Sequence, residues 1–242
     1  MAAKYALFDL DGTLTAPRGA ATPEMLELIQ KLRTVAKVGV VSGSDLPKLN
    51  EQFTADCRDC VDYTFPENGI VAYQGKRMIG SHSFAEFLGE DKLQEMINFV
   101  LRYFSEITLP VKRGTFVEYR MGMLNFSPIG RQCSQEERIQ FNEYDKEHGI
   151  RQKFVEEMDK RFSKYGVQFA IGGQISVDCF PKGWDKTFVL RYLPEDAEIH
   201  FFGDKTTPGG NDYEIYEHPR TIGHSVKDPV DAMQQIKETF GI

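Results

Sequence analysis

The stretch YALFDLDGT, residues 5–13, is the part of this 242-residue sequence that best indicates the fold. The residues from Tyr5 to Phe8 are apolar, and two carboxylates, Asp9 and Asp11, follow them and precede Gly12. A short apolar run that ends in polar residues and glycine is typical of a buried strand whose carboxyl end opens into a site. The stretch therefore predicts a strand with chemistry at its carboxyl end.

The residues that follow predict a helix and then a second strand. Thr22 is a favourable N-cap, Pro23 suits the first helical position, and apolar residues recur at helical spacing up to Leu32. Residues 37–42, KVGVVS, form a second apolar run that ends before a glycine. A strand, a helix and a strand in this order predict a right-handed parallel crossover, which begins a doubly wound sheet.

A turn signal at Asn68-Gly69 predicts an antiparallel addition to this sheet. The dipeptide lies between the apolar runs 63–65 and 70–73, and Asn-Gly between such runs is a strong hairpin signal.

From about residue 81 the pattern changes to helices alternating with strands that lack a parallel crossover. Ser134 begins a capping box, and the helix that it opens should stop near Gly149. The predicted strands are 115–120, 124–127, 167–171 and 175–180, and the predicted helices include residues 93–104 and 152–165. This alternation predicts an α+β insert with an antiparallel sheet.

The parallel pattern returns after the insert. Asp185 is a candidate N-cap for a helix to Leu193, a strand follows at 198–202, and Asp228-Pro229 opens a last helix. The predicted fold class is α/β, with a doubly wound core from residues 1–80 and 186–242 and an inserted α+β cap from 81–185.

Composition limits the class of protein. With 41% hydrophobic and 27% charged residues the chain is an ordinary globular protein, and its formal charge of −7 makes a nucleic-acid partner improbable. No apolar run approaches the roughly 20 residues of a membrane span. The start of the sequence has no signal-peptide pattern, so we expect a cytoplasmic protein without membrane contact and with its four cysteines reduced.

Several acidic residues are predicted to meet at one edge of the core sheet. Asp9 and Asp11 follow the first strand, and Gly203-Asp204, with Asp212 after it, follows a late strand. Any one of these residues alone could be a turn former. Carboxylates that converge at strand ends are suited to bind a divalent cation. Such a cation screens the negative charge of a carboxylate from that of a phosphate, so that the carboxylate can attack the phosphorus atom.

Four segments resemble the motifs of the haloacid dehalogenase (HAD) superfamily. They are DLDGT at 9–13, VVSGS at 40–44, Lys186 at the start of a predicted helix, and Gly203-Asp204 with Asp212. The resemblance implies a HAD-type, Rossmann-like core, with Asp9 as the residue that accepts the phosphoryl group and Asp11 as general acid and base. The implied phosphate ligands are Lys186 and either Ser42 or Ser44, and the implied Mg²⁺ ligands are Asp9, Asp11, Asp204 and Asp212.

Three segments of the insert resemble the cap of eukaryotic-type phosphomannomutases. They are GTFVEYR at 114–120, MLNFSPIGR at 123–131 and GGQISVD at 172–178, and the match continues through FFGDKT at 201–206 and PGGND at 208–212. The resemblance implies substrate binding by Arg18, Arg120, Arg131, Arg138, Ser176 and Asp178. It also implies a second cation site at Tyr216 and Thr221, where this chain has His218 in place of the family's acidic residue.

The resemblance implies the interconversion of mannose 6-phosphate and mannose 1-phosphate through a hexose 1,6-bisphosphate, which also acts as activator. This reaction would supply GDP-mannose synthesis, glucose phosphates would also be accepted, and the chain would form a homodimer through the cap. A mutase must hold a second phosphate, and the cap arginines suit it. A HAD-type sugar-phosphate phosphatase and a non-catalytic scaffold are the alternatives.

Overall fold

A computed structural model describes residues 3–242, which form two compact units. The first unit contains the residues up to Ser81 together with Gly183–Ile242, and the second contains His82–Lys182. No helix among the described residues is both long and apolar enough to cross a membrane.

Strands and helices alternate along most of the chain. The first segment contains β1 (Lys4–Phe8), α1 (Pro23–Leu32), β2 (Lys37–Val41), α2 (Leu46–Phe53), α3 (Cys57–Cys60), β3 (Tyr63–Phe65), β4 (Val71–Gln74) and β5 (Arg77–Ser81). The second unit contains α4 (Phe84–Leu88), α5 (Glu90–Glu106), β6 (Val117–Tyr119), β7 (Leu124–Phe126), α6 (Gln135–His148), α7 (Ile150–Phe162), β8 (Val167–Gly172) and β9 (Ser176–Pro181). The last segment contains β10 (Glu198–Gly203), α8 (Tyr213–Tyr216), β11 (Thr221–Ser225) and α9 (Pro229–Phe240). Glu67–Gly69, Ser163–Tyr165 and Lys186–Tyr192 are 3-10 helices.

The first unit is built on a seven-stranded sheet in the order β11-β10-β1-β2-β3-β4-β5. The strands from β11 to β3 are parallel, and β4 and β5 are antiparallel additions. Strand β1 lies between β10 and β2, and its successive residues contact two different hydrophobic clusters. Helices α1, α2 and α9 contribute to one cluster, and α8 and the 3-10 helix Lys186–Tyr192 to the other. The doubly wound core predicted from the sequence is confirmed.

The local sequence signals of this unit correctly predict the N-cap of α1 and the pairing of β3 with β4. The Thr22 hydroxyl accepts a hydrogen bond from the Met25 amide at 3.2 Å, as expected for the N-cap of α1. The predicted antiparallel pairing of β3 and β4 is present, but the connection is a 3-10 turn at Glu67–Gly69 rather than a two-residue turn. In this turn Asn68 has a φ of 59°, a left-handed conformation that asparagine tolerates better than most residues.

The helix predicted to follow Asp185 is present, and it is a 3-10 helix over residues Lys186–Tyr192. Three consecutive residues, Phe188 to Leu190, are all buried, so the segment has no single apolar face of the kind that favours an α-helix. Asp185 caps it as predicted, since its carboxylate accepts the Thr187 amide at 2.8 Å.

The second unit contains a four-stranded antiparallel sheet in the order β6-β7-β9-β8. Apolar residues of α4, α5 and α7 pack with the sheet in one cluster that includes Phe126 and Phe154. The capping box at Ser134 is formed as predicted, and α6 ends at Gly149, which has a φ of 63°. The predicted α+β insert is therefore confirmed.

Two histidines on β10 and β11 give the first unit a titratable contact that the sequence had not indicated. The ring of His224 stacks on Phe202 with centroids 4.2 Å apart, and its Nε2 lies 2.9 Å from Nδ1 of His200. Nε2 of His200 lies 3.0 Å from Oε1 of Glu198, which also pairs with Lys4. Burial, together with the neighbouring His200, lowers the pKa of His224 from 6.5 to about 4.

We expect His224 to destabilise the folded chain in mild acid. Its pKa is lowered by folding, so between about pH 6.5 and about pH 4 the unfolded chain binds the proton first and the free energy of unfolding falls. Urea unfolding at a series of pH values should show a smaller fall for His224→Phe, which keeps the stacking. Equal pH dependence in the two proteins would contradict this assignment.

Candidate active site

Three carboxylates converge in the first unit. Asp9 follows β1, Asp204 follows β10, and Asp212 precedes α8, and one oxygen from each lies within 4.8 Å of the others. Their meeting follows from the sheet, because β1 and β10 are parallel neighbours and their carboxyl ends share one edge. Asp212 is held there by the Lys205 amide, which donates to its Oδ2 at 3.0 Å.

Lys186 lies between two of these carboxylates. Its Nζ donates to Asp9 Oδ1 and, at 2.6 Å, to Asp212 Oδ1, and the side chain is only 1% exposed. Burial alone would lower the pKa of Lys186, but the charges of both aspartates outweigh it and the pKa lies above 10.5. Burial also raises the pKa of Asp9 from 3.8 to about 6, although Lys186 opposes the rise. The ammonium ion is thus a fixed positive charge beside Asp9.

The three carboxylates fit a divalent cation. Oδ1 of Asp204 is buried and has no hydrogen-bond partner among residues 3–242, so this oxygen has lone pairs available for a ligand. Hard cations such as Mg²⁺ prefer oxygen ligands of this type. Gly12 makes room for Asp204: its φ is +89°, and a Cβ there would lie 2.5 Å from Asp204 Oδ2.

Asp11 lies outside this group of three. Its Oδ1 accepts the Arg18 amide at 2.7 Å and Nε2 of Gln52 at 2.9 Å. The side chain of Asp11 is thereby held by neighbouring loop and helix residues, separately from the carboxylates that fit a cation. Arg18 is exposed and has a φ of 61°.

Gln52, on α2, is a residue that the sequence analysis missed. It is 2% exposed, and its Nε2 also lies 3.2 Å from the Thr15 hydroxyl and 3.3 Å from the Gly19 carbonyl oxygen. A signal existed, because Gln52 is a polar residue on the helical face that carries Leu49 and Phe53. A buried amide among apolar residues requires a polar partner, which here is Asp11.

The two candidate serines lie at the end of β2, next to β1 in the sheet. Ser42 is buried, and its hydroxyl accepts the Ser44 amide at 3.1 Å, while Ser44 itself is half-buried. Both therefore remain candidates as phosphate ligands.

The residues predicted for a second cation lie on either side of the loop before β11: Tyr216 ends α8 and Thr221 begins β11. The Thr221 hydroxyl donates to the carbonyls of Ile215 and His218, and Nδ1 of His218 accepts the Arg220 amide at 3.2 Å. The side chains of Thr221 and His218 are thus hydrogen-bonded to the backbone of the turn. Tyr216 would contribute to a cation site through its carbonyl oxygen.

In the second unit, two of the three candidate arginines converge on one glutamate. Oε2 of Glu118 lies 2.6 Å from Nη2 of Arg120 and 3.1 Å from Nε of Arg131. Arg138 joins them through its Nη2, which donates to the Arg131 carbonyl at 3.0 Å. The three arginines predicted from the sequence therefore form a continuous basic cluster, and Glu118 is the member that the prediction missed.

Asp178 and Ser176 lie on β9 of the same unit. Oδ1 of Asp178 accepts Nδ2 of Asn125 at 2.6 Å, and the Ser176 hydroxyl donates to the Gly172 carbonyl at 3.1 Å. Burial raises the pKa of Asp178 above 3.8, although the hydrogen bond from Asn125 and the charges of Arg120 and Arg131 oppose the rise. Asn125 was also missed, since nothing in the spacing of the sequence distinguishes it.

Comparison with known proteins identifies the family. The family model for eukaryotic phosphomannomutase matches residues 25–242. The proteins named phosphomannomutase from Dendrobium officinale and Arabidopsis thaliana are 58% and 57% identical to this chain. The alignments cover 97% of the chain and 93% of the first relative, and 99% of the chain and 99% of the second.

Solved structures agree at the level of the fold. A haloacid dehalogenase-like hydrolase from Bacteroides thetaiotaomicron aligns with a TM-score of 0.60 at 13% identity, covering 98% of this chain and 100% of that one. Trehalose-6-phosphate phosphatase from Aspergillus fumigatus aligns with a TM-score of 0.60 at 18% identity, covering 99% and 93%. The HAD-type fold expected from the motifs is confirmed. The family model and the two proteins named phosphomannomutase match nearly the whole chain, so the chain belongs to the eukaryotic phosphomannomutase family.

Proposed function

We propose that the chain is an isomerase that interconverts mannose 6-phosphate and mannose 1-phosphate, with Asp9 as the nucleophile. The observation that carries the proposal is the convergence of Asp9, Asp204, Asp212 and Lys186 in a chain 57% to 58% identical to proteins named phosphomannomutase. The first unit is the catalytic core and the second provides substrate specificity.

The chemistry begins with Asp9 carrying a phosphoryl group. A sugar hydroxyl attacks the phosphorus atom, the bond to the Asp9 oxygen breaks, and Asp11 takes the hydroxyl proton. The product is a hexose 1,6-bisphosphate, which reorients. Asp9 then attacks its other phosphoryl group, the bond from phosphorus to the sugar oxygen breaks, Asp11 returns its proton to that oxygen, and the isomerised monophosphate leaves. Gln52 supports the proton transfer, because its Nε2 holds the Asp11 carboxylate at 2.9 Å.

The positive charges of the core support this transfer. Lys186 remains protonated beside Asp9 and offsets the charge of the carboxylates, and Ser42 or Ser44 donates to the phosphate. Mg²⁺ is the cation that we propose for Asp9, Asp204 and Asp212, and when bound it neutralises charge on the transferring phosphoryl group.

The second unit recognises the sugar and its other phosphate. Guanidinium groups bind phosphate oxygens in a bidentate manner, which suits Arg120, Arg131 and Arg138, and Arg18 of the first unit is proposed to assist. Ser176 and Asp178 are proposed to bind sugar hydroxyls. A hydrolase needs no such second phosphate site, so this cluster favours a mutase over a phosphatase.

A single assay tests the proposal. Mannose 1-phosphate and glucose 1-phosphate are supplied separately with Mg²⁺, with and without a trace of hexose 1,6-bisphosphate, and isomerisation and inorganic phosphate are measured in the same tubes. We expect isomerisation that exceeds phosphate release, requires the bisphosphate and is lost in EDTA. Phosphate release faster than isomerisation would assign the chain as a phosphatase instead.

Three further properties belong to this proposal: a cytoplasmic location, a role in supplying GDP-mannose synthesis, and a homodimer formed through the second unit. The homodimer is tested by light scattering of the purified chain, where a mass of one chain at working concentration would reject it.

A further inference from the structure

Asn125 lies in the middle of a row of polar side chains across the sheet of the second unit. Strand pairing places Glu118 of β6 opposite Asn125 of β7, and Asn125 opposite Asp178 of β9. Residues directly opposite each other on neighbouring strands point to the same face of a sheet. The three side chains therefore form one line that runs from the arginine cluster to Asp178.

Both ends of the Asn125 amide are hydrogen-bonded within this line. The residue is 3% exposed; its Nδ2 donates to Asp178 Oδ1 at 2.6 Å, and its Oδ1 accepts from Nη1 of Arg131 at 2.6 Å. The orientation of the amide follows from its neighbours, because a guanidinium group can only donate and an ionised carboxylate can only accept. A short side chain that donates at one end and accepts at the other is needed here, and asparagine meets both requirements.

The groups joined by Asn125 have different proposed tasks. Arg131 belongs to the basic cluster, where it also pairs with Glu118, and Asp178 is the proposed ligand of a sugar hydroxyl. Loss of the amide would leave Asp178 Oδ1 without this donor and would release one of the bonds that orient Arg131. Buried polar groups that lose a partner are costly, so both side chains would move to find other partners.

We propose that Asn125 is a positioning residue that couples Asp178 to Arg131, so that recognition of the sugar hydroxyls and of the distant phosphate depends on one buried amide. This inference rests on the proposed function, in which the ligand is a hexose phosphate. Asn125 itself need not touch the substrate.

Two substitutions test the coupling. Asn125→Leu removes both hydrogen bonds while keeping the number and branching of the side-chain heavy atoms, and Asn125→Asp keeps an acceptor for Arg131 but places a second carboxylate against Asp178. We expect KM for mannose 1-phosphate to rise about 10-fold or more in Asn125→Leu, and further in Asn125→Asp, with kcat within about threefold because Asp9 and Lys186 are unchanged. KM within twofold of the unsubstituted chain in both variants would overturn the proposal.

Ser127→Ala is the matched control. Ser127 follows β7, is fully buried, and its hydroxyl has no hydrogen-bond partner in the part of the chain that is described, so its loss disturbs the same region without removing a hydrogen bond of the row. Its KM should be unchanged. A rise in KM equal to that of Asn125→Leu would attribute the effect to general disturbance of the sheet and reject the coupling.

A double-mutant cycle separates coupling from simple loss of structure. Arg131→Ala and Asp178→Ala are made singly and together, with Asn125 present and with Asn125→Leu. We expect the double variant to raise KM by less than the product of the single effects when Asn125 is present, and by the product when it is replaced. Equal non-additivity in both backgrounds would overturn the proposal. If Asn125→Leu does not fold, as judged by circular dichroism, Asn125→Asp serves as the second background.

The outcomes distinguish this inference from the proposed function. A chain that folds but does not isomerise either sugar phosphate rejects the proposed function. An active chain whose Asn125 variants keep the original KM rejects only the positioning role.

Discussion

Replacing Asp9 with asparagine is expected to lower kcat for mannose 1-phosphate by a factor on the order of 10⁴ or more, since Asp9 is the proposed nucleophile and its loss would remove the covalent pathway. An amide has the shape of a carboxylate but cannot form the acyl phosphate. The variant should still fold, because the neighbouring Asp212 continues to neutralise Lys186, whose Nζ lies 2.6 Å from its Oδ1. KM should change much less than kcat, since the cap residues are untouched.

The measurement that goes with this loss is phosphoryl labelling of the protein. Incubation with bisphosphate labelled in its phosphoryl groups should mark the unsubstituted chain on Asp9 and leave Asp9→Asn unmarked. Asp11→Asn is the matched control: it keeps the carboxylate of Asp9 and should still become labelled in a long incubation, but more slowly, because Asp11 protonates the sugar oxygen that leaves the bisphosphate. Mutase activity in Asp9→Asn above about 1%, with deamidation excluded by mass spectrometry, would reject Asp9 as the nucleophile.

The parts of the site that the sequence predicted are those set by strand order. Asp9 and Asp204 each follow a strand directly, and parallel strands bring their carboxyl ends together whatever the details of packing. Once the crossover pattern was recognised, the meeting of these two residues followed. Asp212 was grouped with them as the acidic residue that follows Asp204, whereas Lys186 came from the resemblance to the HAD motifs.

Asp11 illustrates what spacing alone does not determine. Two aspartates two residues apart suggest side chains on one side of an extended chain. The backbone, however, leaves the strand at Asp9 and turns at Gly12, and the Asp11 carboxylate accepts hydrogen bonds from Arg18 and Gln52 instead. Whether the side chains of Asp9 and Asp11 lie close together depends on such turns, and tertiary contacts determine the turns.

The residues missed by the sequence analysis act through other side chains. Glu118 pairs with Arg120, which is close to it in the sequence. Gln52 holds Asp11 and Asn125 holds Asp178, across 41 and 53 residues of sequence. Hydrogen bonds between residues so far apart are made only after the chain folds. A polar residue on an otherwise apolar face was the one signal available, and it applied to Gln52.

Replacing Lys186 with methionine is expected to lower the free energy of unfolding by about 3–5 kcal/mol, the usual result of removing one partner from a buried ion pair. Methionine keeps much of the volume, so packing changes little. The loss arises because Asp9 and Asp212, which are 5% and 0% exposed, would face each other without the ammonium ion. Urea unfolding in the presence of EDTA measures the effect without a contribution from bound cation.

Lys227→Met is the control, because this lysine is exposed and its loss should change the free energy of unfolding by no more than about 0.5 kcal/mol. Repeating the unfolding with excess Mg²⁺ adds a second readout. A cation that binds the folded carboxylates stabilises by mass action, and it should restore more stability in Lys186→Met than in the unsubstituted chain, because it supplies the missing positive charge. Equal gains in both proteins would indicate that the cation binds away from Asp9 and Asp212, and it would remove the structural basis for placing Mg²⁺ among these carboxylates.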